Sequence, residues 1–205
     1  MLTLYTSPKT CSLACAIALE EAGATYDLVK LDFPAGEQRG AAYLAKNPKG
    51  RVPALETDKG VITEVLAIMA FVAQTHPKAQ LAPNDPFLFG QLQGFNSYLA
   101  STVHVHHAHN RRGARWSDDP AVVEALKIKV PQNMTDCFTL IEDGMLKGPW
   151  VMGQQYTIAD GYLFTISGWL DRDGVNITKF PRVHDHFSNM NERPAVRRAV
   201  EKHGG

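Results

Sequence analysis

Along the first 76 residues, short apolar runs alternate with segments of helical periodicity. Leu2 to Tyr5 reads as a short apolar strand, closed by the Ser7-Pro8-Lys9-Thr10 turn. From Cys11 to Ala22, Leu13 and Ile17 with the small Ala14 and Ala18 recur at helical spacing, and Gly23 supplies the stop. Tyr26 to Leu31 alternates apolar and polar residues with period two, which predicts a second strand, parallel to the first and joined to it through the helix. Gly36 to Ala45 is irregular. Asn47-Pro48-Lys49-Gly50 then turns the chain into a strand, Val52 to Thr57, and Asp58-Lys59-Gly60 folds it back on Val61-Ile62-Thr63 as a hairpin. Thr63 or Glu64 is placed to cap Val65 to Gln74, a helix apolar enough to be buried.

After His76-Pro77 the texture changes. Leu81 to Pro86 carries two prolines without periodicity and reads as a linker, and beyond it only helical patterns follow. They run through Gln91 to His109, from Asp119 (capping Pro120) to Met145, and from Thr157, with two short helices after that. The expected fold class is therefore α/β plus all-α, with domains at residues 1–78 and 87–205.

Composition narrows the function. In 205 residues, 44% hydrophobic and 20% charged, there is apolar material for a sizeable core, and disorder is excluded. Twenty-one basic residues balance 21 acidic ones, so no net field favours nucleic acid or an anionic membrane. The longest apolar run, Val65 to Ala73, is far shorter than the roughly 20 residues of a bilayer helix, and the expectation is a cytoplasmic protein. Three cysteines cannot pair fully, so reduced thiols are the default.

One of those thiols stands in a reactive place. Cys11 opens the first helix directly after a strand and a turn, where backbone N–H groups and the helix dipole favour a thiolate and an anionic ligand, although a small residue packed under the turn fits the position as well. Cys15 and Cys137 fall among apolar neighbours and read as core. Val52-Pro53 is a favoured place for a cis peptide bond, which leaves backbone groups free to pair with an extended ligand, with an ordinary trans proline as the alternative. Glu64, before a helix start at Val65, is placed either to hold the ammonium of a ligand whose carboxylate meets the helix N–H groups, or simply to cap.

Taken together, Cys11-Ser12-Leu13-Ala14 at a helix start, Asn47 to Leu55, and Thr63-Glu64 before a buried helix resemble the N-terminal thioredoxin-like domain of glutathione S-transferases, most closely the bacterial beta class. Thr157-Ile158-Ala159-Asp160 is similar to the capping box of that superfamily's helical domain. The resemblance spans the whole chain. It implies a βαβαββα domain followed by a helical one that forms the electrophile site, glutathione as co-substrate without a metal, and a homodimer. It makes Cys11 the residue facing the glutathione sulfur, Val52 the backbone partner of the cysteinyl group, Pro53 the cis-proline, and Glu64 with Val65 the binders of the γ-glutamyl end. Ser101 and His104 resemble the Ser-x-x-His stretch turned toward the sulfur in the beta class.

There are departures. Val65 stands where a serine is common, Val105 follows His104 where a lysine is usual, and Pro34-Ala35-Gly36 replaces a lysine-bearing loop, for which Arg39 or Lys46 are candidate substitutes. His104, His106, His107 and His109 lie at helical-turn spacings, but no carboxylate or thiol stands among them, so a polar lining is the plainer reading than a metal site. The implied reaction is attack of glutathione thiolate on a small, mostly hydrophobic electrophile, with Cys11 or other donors activating the sulfur. Two alternatives accompany it: thiol–disulfide exchange through Cys11, and glutathione binding without catalysis.

Overall fold

The structure is a computed structural model and describes residues 1–204. By their contacts the residues group into two units, one comprising 1–89 with the residues from Met190 on, the other 90–189.

The first unit is built on a four-stranded mixed sheet in the order β2-β1-β3-β4. β1 (Leu2–Thr6) pairs in parallel with β2 (Tyr26–Lys30) and antiparallel with β3 (Ala54–Thr57), which pairs antiparallel with β4 (Gly60–Thr63). The parallel pair needs a crossover, and α1 (Ser12–Glu21) supplies it. Gly23 stops α1 as expected: it takes φ +65, and its N–H and that of Ala24 close onto Glu20 O and Leu19 O at 3.2 and 3.0 Å. The helix has Ala14, Cys15, Ala16, Ile17 and Leu19 at zero exposure, which explains its run of small residues. The strand predicted to begin at Val52 joins the ladder only at Ala54, because Val52-Pro53 is a cis bond and proline has no N–H to pair. A short helix, α2 (Ala41–Leu44), occupies the irregular stretch, and α3 (Val65–Thr75) follows β4.

The second unit holds most of α4 (Pro86–Tyr98), α5 (His104–Arg112), α6 (Pro120–Leu140), α7 (Ile158–Ser167) and most of α8 (Pro181–Glu192). The helix expected through Gln91 to His109 is interrupted by a π-turn at Leu99–Val103, and the one expected to reach Met145 becomes a π-turn at Ile141–Met145. Asp119 caps α6 as read, accepting from Ala121 N–H at 2.8 Å. The best-satisfied start is that of α7. Asp160 accepts from the backbone and hydroxyl of Thr157 at 2.7 and 3.2 Å, from Val151 N–H at 2.7 Å and from His186 Nε2 at 3.0 Å, all fully or nearly fully buried.

The last helix, α9 (Pro194–His203), which the sequence placed at the end of a helical domain 87–205, groups with the first unit instead. It buries Ala195, Val196 and Ala199, and its Arg198 and Lys202 reach Glu20 of α1 at 2.8 and 2.6 Å. Burial opposes ionisation of Glu20, but hydrogen bonds from Lys202, Arg198 and Tyr26 outweigh it and hold the carboxyl below its ordinary range. Arg193 adds a two-pronged pair to Glu21 at 2.6 and 2.8 Å. No helix among the described residues is long and apolar enough to cross a membrane.

Candidate active site

Five of the seven residues singled out in the sequence lie in the first unit, around the starts of α1 and α3. Cys11 is the N-cap residue of α1, yet its side chain makes no capping hydrogen bond. Its thiol instead points across to the carbonyl of Val52, with Sγ 3.7 Å from the oxygen. Cys11 is half-buried, whereas Cys15 and Cys137 are buried and burial pushes both of their thiols up, well up in Cys15. Cys15 contacts the carbonyl of Val65 at 3.8 Å, tying α1 to the beginning of α3.

The loop before Val52 is held from beneath. The Arg51 carbonyl accepts from Tyr43 Oη and from Asn47 Nδ2, each at 2.6 Å, and Asn47 Oδ1 accepts from Lys49 N–H at 3.2 Å. Gly50 is obligatory here: it has φ +60, and a Cβ on it would stand 3.0 Å from Gln38 O. The expected cis bond at Val52-Pro53 is present, and both residues are buried.

Glu64 is exposed and holds φ +77 with ψ +133, a conformation that costs a non-glycine residue roughly 1–3 kcal/mol. The alternative of a simple side-chain cap does not hold: no side-chain capping bond forms at α3. Its carboxylate is paired with the Lys49 ammonium, which also donates to Thr63 Oγ1 at 2.8 Å. Val65 follows, buried, as the first residue of α3.

Next to Cys11, the Thr10 and Ser12 hydroxyls, which the sequence offers with that of Ser7 as donors to a sulfur anion, belong instead to a network of their own. Thr10 Oγ1 donates its one proton to Ser7 O at 2.6 Å, so in its 2.5 Å contact with Ser12 the serine must be the donor. Ser12 has then spent its proton, and it accepts from Thr6 Oγ1 at 2.5 Å and from His203 Nε2 at 3.1 Å. His203 is accordingly neutral with its proton on Nε2. Burial, with Lys30 assisting, pushes its pKa down to about 4, and its buried Nδ1 has no partner among the described residues. The Thr10 and Ser12 hydroxyls are thus committed to one another and to their supports. Lys46 is likewise committed, to Glu56 at 2.7 and 2.8 Å, whereas Arg39 is exposed.

Ser101 and His104 lie in the second unit. Ser101 sits in the π-turn, exposed, and donates to Ser97 O at 2.7 Å. His104 begins α5, its ring centroid 5.0 Å from that of Trp169 and its Nδ1 3.4 Å from Tyr162 Oη. The histidine cluster divides into two pairs, His104 with His107 and His106 with His109. No group of three or more metal-ligating side chains forms among the described residues.

Comparison with known proteins decides the lineage. Residues 1–74 match the pattern "Glutathione S-transferase, N-terminal domain" and residues 124–194 match "Glutathione S-transferase, C-terminal domain". The chain belongs to the glutathione S-transferase family. It is 33% identical to the glutathione S-transferase GstA of Escherichia coli over 98% of both chains. A glutathione transferase homologue from Sulfitobacter, solved with bound glutathione, superimposes with a TM-score of 0.96 at 43% identity, covering 98% of each chain. A beta-class glutathione S-transferase from Sphingomonas chungbukensis does so with a TM-score of 0.87 at 30% identity, again covering 98% of each chain. The protein is therefore a transferase of this family with a thioredoxin-like sheet domain and helical partner elements.

Three features of the candidate site in this transferase escaped the sequence. Lys49 was visible only as a turn residue, the positive φ of Glu64 has no signature in its side chain, and His203 lies 191 residues from the serine it supports.

Proposed function

We infer that the first unit binds glutathione in extended form along the cis Val52-Pro53 segment, with the tripeptide's sulfur toward Cys11 and its γ-glutamyl end at Glu64 and Val65. The observation that carries this is the convergence of the Cys11 thiol on the Val52 carbonyl at 3.7 Å. A peptide pairing in strand fashion with Val52 brings its own central side chain beside that thiol. The strained Glu64 supports the other end, because strain of this kind persists where a ligand requires it. The ammonium of the γ-glutamyl group then takes the place Lys49 now holds.

The reaction is attack of the glutathione thiolate on a small electrophile, mostly hydrophobic, held by the second unit and drawn toward Ser101 and His104. Helix-start N–H groups and Cys11 stabilise the sulfur anion. No metal takes part, the working form is a homodimer, and the cytoplasm, which keeps glutathione reduced, is its compartment. The same site supports a second activity. Cys11 thiolate attacking glutathione disulfide forms a Cys11–glutathione disulfide and releases one glutathione thiolate, and the half-buried setting of Cys11 favours this reading over core packing.

Conjugation of glutathione to a dinitrophenyl halide, followed by absorbance, tests the first activity. Incubation with glutathione disulfide and intact-mass measurement tests the second. Absence of saturable glutathione dependence in the first assay would remove the proposed site, and light scattering at the monomer mass of about 23 kDa would remove the dimer.

A further inference from the structure

The second unit contains two aspartate–histidine pairs, and they differ in one respect that bears on chemistry. His186 and Asp160 are both sealed, with no side-chain exposure on either, and the far nitrogen of His186 is shut in without a partner among the described residues. His107 and Asp173 are arranged otherwise. The Asp173 carboxylate is fully buried, but the His107 side chain retains 18% exposure. Its Nδ1 lies 2.7 and 3.0 Å from the two Asp173 oxygens, and since a carboxylate only accepts, Nδ1 carries a proton. Asn110 Nδ2 completes the bracket, donating to Asp173 at 3.0 Å and to Arg172 O at 2.8 Å. The imidazole is stacked on Trp169, centroids 4.3 Å apart and planes 24° from parallel.

Orientation by a buried carboxylate and a flat aromatic floor fixes the ring in place and tautomer. What remains is Nε2, which makes no hydrogen bond among the described residues, on a ring that is partly exposed. A side chain needed only to neutralise Asp173 would be sealed with it, as His186 is with Asp160, whereas His107 keeps part of its ring exposed. A general acid–base residue needs such exposure.

We propose that His107, positioned by Asp173, gives and takes the proton in conjugation of electrophiles that must gain one, chemically the α,β-unsaturated carbonyls. This rests on the reading that the second unit holds the electrophile. In such an addition the glutathione sulfur bonds to the β-carbon, and the carbon–carbon π pair moves onto the carbonyl as an enolate. His107 in its charged form delivers its Nε2 proton to the α-carbon, and the neutral ring, still donating from Nδ1 to Asp173, is recharged by the proton the thiol gave up. Displacement on an aryl halide expels halide and transfers no proton to the substrate, so it has no use for His107.

His107→Asn places an amide N–H where Nδ1 stands, so it keeps a donor for Asp173, but it has no titrating nitrogen. It is expected to lower kcat/KM for an aryl enone by about a hundredfold or more, the scale of general acid–base catalysis, while leaving a dinitrophenyl halide within about twofold. Asp173→Asn should act in the same direction by a smaller factor. Added imidazole should restore part of the enone rate in His107→Ala. The unmodified protein offers a check that does not depend on a variant folding: in D2O, an enone with an unsubstituted α-carbon should acquire deuterium on one face only. Equal loss with both substrates, loss with neither, or deuterium on both faces overturns the proposal. Failure of the unmodified protein to conjugate either substrate overturns the transferase reading beneath it, and the proposal with it.

Discussion

Two helix starts in this molecule meet the same problem with opposite outcomes. At α7, Thr157 and Asp160 cap the helix reciprocally, and Asp160 also takes Val151 and His186, so that a buried start is satisfied by the protein itself. At α1, Cys11 occupies the cap position and caps nothing, with its sulfur turned to Val52. Orphan N–H groups and a positive dipole end exist at both. At α7 side chains fill them; at α1 no side chain does, and only backbone carbonyls of the preceding turn take the N–H groups of Leu13 and Ala14.

That contrast can be broken most sharply at Cys11. Cys11→Ala should abolish the glutathione adduct outright in the intact mass spectrum, because no other thiol is accessible and the burial of Cys15 and Cys137 pushes their pKa values up. Conjugation should survive in part, sustained by the helix-start N–H groups. Complete loss of conjugation in a folded, glutathione-binding variant would show the thiol itself to be indispensable to the transfer.

At the other start, Asp160→Ala leaves His186 and three further donors without their acceptor in a buried place, and should cost about 3–5 kcal/mol. Urea unfolding measures this; a shift under 1 kcal/mol would mean that the site relaxes by admitting water.

His203 sharpens the comparison by pH. It is neutral when folded, with a pKa pushed down to about 4 against an ordinary value of 6.5, so the unfolded chain binds the extra proton between those values. Stability is then full above pH 6.5 and falls on acidification toward pH 4, by about 3 kcal/mol at most. His203→Gln retains a donor to Ser12 and should flatten that part of the stability–pH curve. An unchanged slope would assign the acid sensitivity to other groups.

The smallest effect on the fold is expected at Glu64. Glu64→Ala should weaken glutathione binding by about 1.5–3 kcal/mol in calorimetry, the worth of a hydrogen bond to a charged group. The exposed Lys49 pair contributes less than about 1 kcal/mol to stability. Glu64→Gly, which accepts φ +77 without strain, should lose the same affinity while raising the unfolding midpoint. Equal binding by Glu64→Ala and the parent would reduce this residue to a surface partner of Lys49.

Most of the fold was legible because its signals are local. Period two at Tyr26 to Leu31, the Gly23 stop, the hairpin at Asp58 to Gly60 and the Thr157–Asp160 box each declare themselves within a few residues. The places where reading stopped short depend on partners distant in sequence or on backbone geometry. The π-turn at Leu99–Val103 leaves no compositional mark, and α9 is helical by pattern whichever unit it joins. Around the two helix starts, the cis Val52-Pro53 bond and the places of Cys11 before α1 and Glu64 before α3 were readable from the local sequence. Thr10 and Ser12, which look available to a sulfur anion, have given their protons to Ser7 O and to Thr10, and only counting protons through the network reveals it.

The placement of α9 on α1 also bears on how the protein is made. The unit carrying Cys11 draws on residues 1–89 and then, after a hundred residues of other structure, on those from Met190 on. During synthesis the sheet and α1 emerge early, but Glu20 and Glu21 wait for Arg198, Lys202 and Arg193, and Ser12 waits for His203. Ribosome-bound chains stalled before Arg193 should therefore hold a sheet whose Glu20, Glu21 and Ser12 still lack these partners, and the surroundings of Cys11 are completed only once α9 has emerged.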